Sequence, residues 1–197
     1  MTRGQFLFTP YRYCEVLCGY KTEGYRKFWG YAHFGIDTFC YDNPNSSERG
    51  IVLASGNGTV VKTGLDAVGN VVVIIYKDVQ FPDGSIKDLV ARYFHLATIL
   101  VKEGEAVTHD TPIGIEGNTG TTAYHLHLEF YIDCAYPCHS PQVKGSTIIK
   151  RGTDTTVDPL LLLHKRRDQV MKPSRYGRSF NNPHDTTMRM IHPTTGG

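Results

Sequence analysis

The chain has 197 residues, of which 40% are hydrophobic and 20% are charged, and this composition fits one globular domain that buries a core. A formal net charge of +2 is too small to indicate nucleic-acid binding. The apolar runs fall far short of the roughly 20 residues that cross a bilayer, so the sequence predicts no membrane-spanning helix.

The predicted elements are short strands along most of the chain. Residues 1–30 are rich in aromatic residues and Gly, and are interpreted as loops and short strands. A turn-rich excursion follows over 38–50, and short β-type runs separated by Gly, Asn and Asp occupy the chain over 51–132. Frequent turn signals between runs of this length are typical of an all-β or β-dominated fold with little helix.

The C-terminal region breaks this pattern. Residues 158–171, DPLLLLHKRRDQVM, favour a helix that begins at Pro159. From Lys165 onward the sequence becomes polar and shows no core pattern, as expected for a tail. We therefore predict one domain over 1–164 and a polar C-terminal helix or tail over 165–197.

Four of the five cysteines form two C-x3-C pairs, Cys14 with Cys18 and Cys134 with Cys138. Free thiols are expected in a reducing compartment, because disulfides occur mainly in oxidising ones. Structural zinc sites more often have C-x2-C spacing, so the pairs do not specify a metal, although a metal site and a disulfide both stay open.

A predicted strand with two histidines is the first indication of function. In TTAYHLHLEF, residues 121–130, period-2 alternation places His125, His127 and Glu129 on one face and apolar residues on the other. The polar face is either a solvated surface or a site. Glu129 is correspondingly either a surface carboxylate or a group that holds a histidine in position.

Two further stretches can complete such a site. HFGID places His33 and Asp37 four residues apart, and alternation in an extended chain turns both side chains to the same side. RYFHL places His95 at the end of an apolar run. The other histidines lie in turn-like or tail contexts and are interpreted as surface residues: His109, His139, His164, His184 and His192.

Metal chemistry gives these residues a shared role. Catalytic zinc takes three protein ligands from His and carboxylate side chains and leaves one position for water, which fits His33, Asp37 and His127. His125 and His95 can then contact that water or the substrate without binding the metal. The helical HExxH motif of many zinc proteases is absent from the sequence.

These motifs occur together in an order that resembles a known family. The stretches HFGID, GNGTVVKTG, RYFHL, VKEGEAVTHDTPIGIEGNTG, HLHLEF and VDPLLLL follow one another as in the lysostaphin-type (LytM-like) zinc metallopeptidases. The resemblance covers about residues 5–164. Members of that family cut the peptide part of bacterial peptidoglycan.

The resemblance implies a fold, a reaction and a site. The fold is a small, curved antiparallel sheet, or open sandwich, with the metal in a groove across it. The reaction is hydrolysis of a peptide bond in a peptidoglycan cross-bridge or stem peptide, with one zinc ion per chain. His33, Asp37 and His127 become the zinc ligands, and His95 and His125 become the catalytic pair. The stretch IGIEGNTG becomes a turn that sets the register of the HxH strand.

Some features have no counterpart in the family pattern. Tyr124 stands before the HxH pair in place of Pro or a small residue, and residues 133–156 form a long insertion before VDP. A group of aromatic residues before HFGID forms either a groove wall for substrate or simple loop packing: Tyr25, Phe28, Trp29 and Tyr31.

Two other functions fit parts of the pattern. A catalytically silent member of the same fold would bind the cell wall or a partner protein, but such members have lost ligands and this chain keeps all of its candidate site residues. An unrelated HxH metalloprotein, such as a small hydratase or oxygenase, would carry a metal other than zinc.

The N-terminal sequence bears on where the protein acts. The stretch MTRGQFLFTPYRYCEV lacks the apolar core of roughly 7–15 residues that a signal peptide contains. We expect a protein that is made in the cytoplasm and acts at the bacterial cell wall after release or as part of a virion. A bacteriolytic enzyme of phage or prophage origin, such as an endolysin, fits this expectation.

Overall fold

Short strands make up most of the described chain. The computed structural model describes residues 4–40, 50–135, 137, 143–144, 147–148 and 154–166. Within these ranges the chain forms a helix α1 (Glu23–Trp29) and a 3₁₀ helix (Pro159–Leu161). The strands are β1 (Leu7–Phe8), β2 (Cys14–Cys18), β3 (Gly35–Cys40), β4 (Ile51–Leu53), β5 (Gly58–Asp66), β6 (Gly69–Gln80), β7 (Ile86–Phe94), β8 (Thr98–Ile99), β9 (Ala106–Val107), β10 (Pro112–Ile115), β11 (Leu126–Tyr131), β12 (Val143–Lys144), β13 (Thr147–Ile148), β14 (Thr156–Val157) and β15 (Leu163–His164).

An eight-stranded sheet dominates the architecture. Its hydrogen-bonded order is β2-β3-β11-β7-β6-β5-β9, and β14 also pairs with β11. All of these pairs are antiparallel. A second antiparallel sheet has the order β4-β10-β8, while β1 and β15 pair in parallel and β12 pairs with β13. The predicted strand-dominated fold with open antiparallel sheets is confirmed.

The central strand β6 buries side chains on both faces of the main sheet. Val72, Ile74 and Tyr76 enter the larger of two hydrophobic cores, and Val71 and Val73 enter a smaller one. A strand covered on both faces is expected to be a nearly continuous apolar run, which is what NVVVIIY shows.

Strand β11 alternates between an apolar and a polar face, as the sequence predicts. Leu126, Leu128 and Phe130 enter the larger core. The intervening side chains of His127 and Glu129 therefore lie on the other face of the sheet. The core anchors the strand on one side while its polar side stays available for a site.

One short helix replaces a predicted loop. Helix α1 spans Glu23–Trp29, within the segment that the sequence indicated as loops and short strands, and it buries none of its side chains. Its ends supply the stabilisation: Glu23 pairs with Arg26 at 2.7 Å, and Gly30 ends the helix with φ +80°. Tyr25, Phe28 and Trp29 have the i, i+3, i+4 spacing of one helix face, and the prediction of loops overlooked this pattern.

The helix predicted over 158–171 does not form in its described part. Pro159–Leu161 make a single 3₁₀ turn, and the next residues form β15 beside β1. The prediction was wrong because the four consecutive leucines have no helical periodicity, and Leu160, Leu162 and Leu163 are all buried in the larger core. Residues 167–171 and the rest of the predicted tail lie outside the described residues.

Two further expectations can be compared with the described ranges. Cys14, Cys18, Cys40 and Cys134 are free thiols, whereas Cys138 lies outside the described residues. No helix in the part of the chain that the structure describes is long and apolar enough to cross a membrane.

Gly35 allows β3 and β11 to approach closely, and we expect Gly35→Ala to destabilise the fold. A Cβ atom at this position would lie 2.4 Å from the carbonyl oxygen of Leu128, which is backbone and cannot rotate away. Overpacking of this kind costs about 1–3 kcal/mol of the free energy of unfolding. Gly24→Ala in α1 is the matched control, since apart from its chain neighbours and the backbone of its own helix no described heavy atom lies within 4 Å of its Cβ. Chemical denaturation that shows equal losses for both variants would contradict the prediction.

Candidate active site

The candidate site follows a row of residues across neighbouring strands. Strand pairing places Asp37 of β3 directly opposite His127 of β11, and His127 opposite Phe94 of β7. His95 follows Phe94 at the end of β7, and His125 immediately precedes β11. Directly opposed residues lie on the same face of a sheet, so strand pairing brings the predicted residues together.

Three ligand-type atoms meet in this row and form a triangle. Nε2 of His33 lies 3.0 Å from Oδ1 of Asp37 and 3.0 Å from Nδ1 of His127, and the latter two atoms are 2.8 Å apart. In a tetrahedral zinc site with bonds of roughly 2.0–2.1 Å, neighbouring ligand atoms are about 3.3 Å apart. The triangle therefore has nearly the dimensions of a metal-binding set.

Hydrogen bonds outside the triangle determine which ring nitrogens face into it. Nδ1 of His33 donates to the carbonyl of Gly19 at 2.9 Å, and Nε2 of His127 donates to Glu129 at 3.3 Å. Each neutral ring therefore turns a lone pair toward Asp37. Three lone-pair atoms at these separations repel one another unless a cation lies between them. The two imidazoles and one carboxylate are the ligand types that zinc prefers.

The charges of the triangle also require a positive centre. Burial disfavours the charged form of Asp37, but hydrogen bonds with His127 and His33 outweigh this effect and hold the pKa of Asp37 well below its usual range. Burial likewise disfavours charge on His33, yet hydrogen bonds with Asp37 and Cys18 raise the pKa of His33 to about 10. In the metal-free protein, protons supply the positive charge, and a metal ion that bound here would displace them.

A chain of charged groups contacts the Nε2 side of His127, which faces away from the triangle. Glu129 is only 8% exposed, and its Oε2 lies 3.5 Å from Nη1 of Arg92. Arg92 in turn donates to Asp66 at 3.2 Å, and its guanidinium lies 4.3 Å from the centroid of the Phe94 ring. Of the two interpretations of Glu129, the structure favours the one in which the carboxylate orients a histidine.

We expect Glu129→Gln to weaken zinc binding by about 10–100-fold, as is typical for groups that orient a metal ligand. The amide has nearly the same size as the carboxylate, but it loses the negative charge that accepts the Nε2–H of His127. Competition titration with a zinc-binding dye measures the affinity. Glu103→Gln is the control, because Glu103 accepts a hydrogen bond from the exposed Thr63 backbone away from the site. Equal zinc affinities for the two variants would contradict the orienting role.

The remaining two histidines stand together beside the triangle. Nδ1 of His95 lies 2.9 Å from the Thr119 carbonyl, and Nδ1 of His125 lies 2.9 Å from the Ala123 carbonyl. With each Nδ1–H donating to its carbonyl, each Nε2 retains a lone pair. The ring centroids are 4.7 Å apart, and Nε2 of His125 lies 3.7 Å from Oδ1 of Asp37. The pair is close enough to act on a substrate held at the triangle without belonging to it.

His95 has an uncommon backbone and a shifted pKa. Its φ of +65° lies in the left-handed region, which costs a residue with a Cβ atom roughly 1–2 kcal/mol. Burial lowers the pKa of His95 to about 4, and the neighbouring His125 and His127 contribute to the same effect. His95 is therefore neutral at pH 7, and its Nε2 can accept a proton.

The loop between β10 and β11 fixes the positions of both rings. The carbonyl of Gly117 accepts a hydrogen bond from the backbone of His125 at 3.1 Å. A Cβ atom at Gly117 would lie 2.3 Å from the backbone nitrogen of Ala97, so the loop packs directly against the end of β7. The hydroxyl of Thr119 also donates to the Leu96 carbonyl at 3.0 Å. These contacts explain why the EGNTG turn accompanies the HxH motif.

Two further side chains adjoin the triangle, and sequence reasoning placed neither of them against the metal ligands. Tyr25 stacks on His33, with ring centroids 4.4 Å apart and planes inclined by 26°. Sγ of Cys18 and the donor atoms of His33 and Asp37 all lie within 4.8 Å of one another. Tyr25 belongs to the aromatic group noted in the sequence, whereas the local pattern around Cys18 carries no signal of this position. Phe28 and Trp29 of the same group are 78% and 56% exposed.

The fold and the site define the class of protein: a strand-dominated domain with a triangle of three ligand-type atoms beside a histidine pair. The sequence model described as Peptidase family M23 matches residues 31–137, which is more than half of the chain and includes all five candidate residues. The chain belongs to peptidase family M23. This assignment confirms the resemblance seen in the sequence motifs.

Similarity to individual proteins covers parts of the chain. It is 40% identical over 83 residues to the peptidoglycan DD-endopeptidase ShyA of Vibrio cholerae, over 41% of this chain and 17% of that protein. It is 35% identical over 80 residues to the lipoprotein NlpD of Yersinia enterocolitica, over 40% of this chain and 73% of that protein. The solved structure of lysostaphin, an antimicrobial peptidase from Staphylococcus simulans, matches with a TM-score of 0.50 at 23% identity, over 79% of this chain and 52% of that chain. The last match supports the fold.

Proposed function

We propose that the protein is a zinc-dependent endopeptidase that hydrolyses peptide bonds in bacterial peptidoglycan, in cross-bridges or in stem peptides. One observation carries the proposal: three lone-pair atoms converge at 2.8–3.0 Å beside a pair of histidines that do not belong to the triangle. Three metal ligands with separate acid–base groups nearby are the arrangement that metal-assisted hydrolysis requires.

In this proposal His33, Asp37 and His127 hold one zinc ion per chain. When bound, zinc polarises a carbonyl oxygen and lowers the pKa of water. Glu129 keeps Nδ1 of His127 directed into the triangle, because it accepts the proton on Nε2. Tyr25, stacked on His33, covers one side of that ring and limits its contact with solvent.

His95 and His125 are proposed to move the proton of the reaction. Neutral His95 can accept a proton from the attacking water at Nε2, because its Nδ1 is bound to the Thr119 carbonyl. Either ring, once it carries this proton, becomes a donor toward the negative charge that develops on the substrate carbonyl. The proton then leaves with the amine of the cleaved bond, which returns the ring to its neutral form.

The substrate class is supported by the relatives and by the surface beside the site. The Vibrio protein that shares 40% identity over 83 residues is named as a peptidoglycan DD-endopeptidase. The exposed rings of Phe28 and Trp29 provide apolar surface for a peptide or glycan chain, since aromatic faces suit both. Action after release from the cytoplasm, or as part of a virion, stays a prediction from the sequence.

Digestion of purified sacculi tests the proposed function. Zinc-loaded protein is incubated with sacculi from several bacteria, and the soluble fragments are analysed by mass spectrometry. We expect new pairs of amino and carboxyl ends within cross-bridges or stem peptides, and the masses identify the bond. The His127→Ala protein, treated identically, should release none. Zinc-loaded protein that sediments with sacculi but generates no new ends would instead be a catalytically silent wall-binding member.

A further inference from the structure

A β-bulge turns one cysteine of β2 toward the candidate metal centre. Cys14 and Val16 face the larger core, so regular alternation would also send Cys18 into it. The register with β3 shifts after Val16, leaving Leu17 outside the register and placing Cys18 opposite Asp37. An inserted residue reverses the face of the residues that follow it, and bulges next to active sites commonly redirect a side chain in this way.

The bulge extends the row of the site by one strand. Cys18, Asp37, His127 and Phe94 are now successive partners across β2, β3, β11 and β7. Sγ of Cys18 and the donor atoms of His33 and Asp37 lie within 4.8 Å of one another. The thiol therefore adjoins the triangle from β2, whereas His95 follows β7 at the other end of this row.

The present contacts of the thiol do not hold it firmly. Sγ of Cys18 lies 3.7 Å from the Gly19 carbonyl and 3.5 Å from the hydroxyl of Thr22. A third hydrogen bond joins the thiol to His33. Sulfur is a weak hydrogen-bond donor and acceptor, so none of the three contacts opposes a small movement. Zinc bonds of about 2.3 Å to sulfur and about 2.05 Å to nitrogen place the two atoms about 3.5 Å apart in a tetrahedral site. Sγ of Cys18 now lies within 4.8 Å of the donor atoms of His33 and Asp37, so it must come closer to bind.

We propose that Cys18 is a fourth ligand that closes the metal centre in the resting protein. The inference rests on the proposed function, since it requires zinc held by His33, Asp37 and His127. As the zinc–sulfur bond forms, the thiol releases its proton to solvent and the sulfur takes the coordination position of a water molecule. Thiolate is a preferred zinc ligand, and a set of one Cys, two His and one Asp completes four-coordination.

The fourth ligand makes the centre latent. Closed tetrahedral zinc sites are structural, whereas catalytic sites keep one position open for water or substrate. Cys18 must therefore leave the metal before hydrolysis begins, and substrate that approaches from the side of His95 and His125 competes with the sulfur. The resting protein binds zinc more tightly than three ligands allow, and it exposes a reactive centre only when the thiolate is displaced.

X-ray absorption at the zinc edge tests this proposal directly. The full chain is loaded with one equivalent of zinc and compared with Cys18→Ala and with Cys134→Ala, whose thiol is half-buried away from the site. We expect one sulfur scatterer at about 2.3 Å in the full chain and in Cys134→Ala. Cys18→Ala should keep zinc and show only nitrogen and oxygen scatterers. A second measurement uses the unaltered chain: zinc should protect Cys18 from alkylation by iodoacetamide, as mapped by mass spectrometry.

The outcomes separate this inference from the proposed function. Zinc bound by nitrogen and oxygen alone in the full chain would refute Cys18 ligation while leaving the three-ligand centre intact. A sulfur scatterer that persists in Cys18→Ala would also refute it. Equal alkylation of Cys18 with and without zinc refutes it even if the Ala variant does not fold. A full chain that binds no zinc refutes the proposed metal centre itself.

Discussion

The His125→Ala protein is expected to fold and to bind one zinc ion per chain, yet to lose about 10²–10⁴-fold of its peptidase rate. The reason is the position of the ring. Nδ1 of His125 is bound to the Ala123 carbonyl, and its Nε2 lies 3.7 Å from Oδ1 of Asp37, whereas the three atoms of the triangle lie 2.8–3.0 Å apart. Removal of the ring therefore leaves the three ligand atoms in place and removes one acid–base group.

Release of soluble fragments from sacculi, measured beside metal analysis of the same sample, separates the two roles. His109→Ala is a matched control, because His109 is a half-buried histidine that pairs with Asp110 at 3.1 Å and lies near Phe8, away from the site. It should retain both zinc and activity. A His125→Ala protein that digests sacculi at a normal rate, or that loses its zinc, would show that the assignment of roles within the HxH pair is wrong.

His95 provides the corresponding test on the other ring. His95→Ala is expected to keep zinc and to lose activity in the same range of about 10²–10⁴-fold. The two rings lie 4.7 Å apart and are proposed to act on one proton, so the double variant should lose less than the product of the single losses. If the loss of activity in the double variant equalled the product of the two single losses, the two rings would have independent roles.

The sequence was sufficient for most of the fold because its strands show simple periodicity. The alternation in HLHLEF predicted which face of β11 is buried, and the apolar run NVVVIIY predicted the strand β6. The short α1 was missed although Tyr25, Phe28 and Trp29 are spaced as on one helix face, because a single pair of turns gives a weak periodic signal. The leucine run after Pro159 has no period at all, and tertiary burial decides its structure.

The site was only partly accessible to sequence reasoning. Spacing within HFGID and HLHLEF indicates His33, Asp37 and His127, because each motif brings its residues to one face over a short stretch. Cys18 was missed because its orientation depends on a β-bulge, and nothing in CEVLC reveals a register shift that is fixed by pairing with β3. The contact between Glu129 and Arg92 was missed for a related reason, since it depends on the order of strands in the sheet.

The second large effect is expected from the triangle itself. Replacement of His33, Asp37 or His127 by Ala should reduce bound zinc from about one ion per chain to a small fraction, and abolish peptidase activity with it. Loss of a residue that orients a ligand, such as Glu129, typically lowers metal affinity by about 10–100-fold. Loss of a ligand itself must lower zinc affinity by more than this. The expected order of zinc affinity is therefore full chain, then Glu129→Gln, then any of the three ligand variants.

Metal analysis after equilibrium dialysis against a fixed zinc concentration measures this order. Asp37→Asn sharpens the test, because it retains the shape of the side chain and removes the charge that raises the pKa of His33 to about 10. If the triangle requires positive charge because of that carboxylate, the Asn protein should bind zinc more weakly and also lose the proton that His33 holds in the metal-free state. Nuclear magnetic resonance of the His33 ring then shows a neutral imidazole at pH 8 in Asp37→Asn and a charged one in the unaltered protein. Unchanged zinc content in all of the ligand variants would mean that the convergence of the three atoms serves packing and not metal binding.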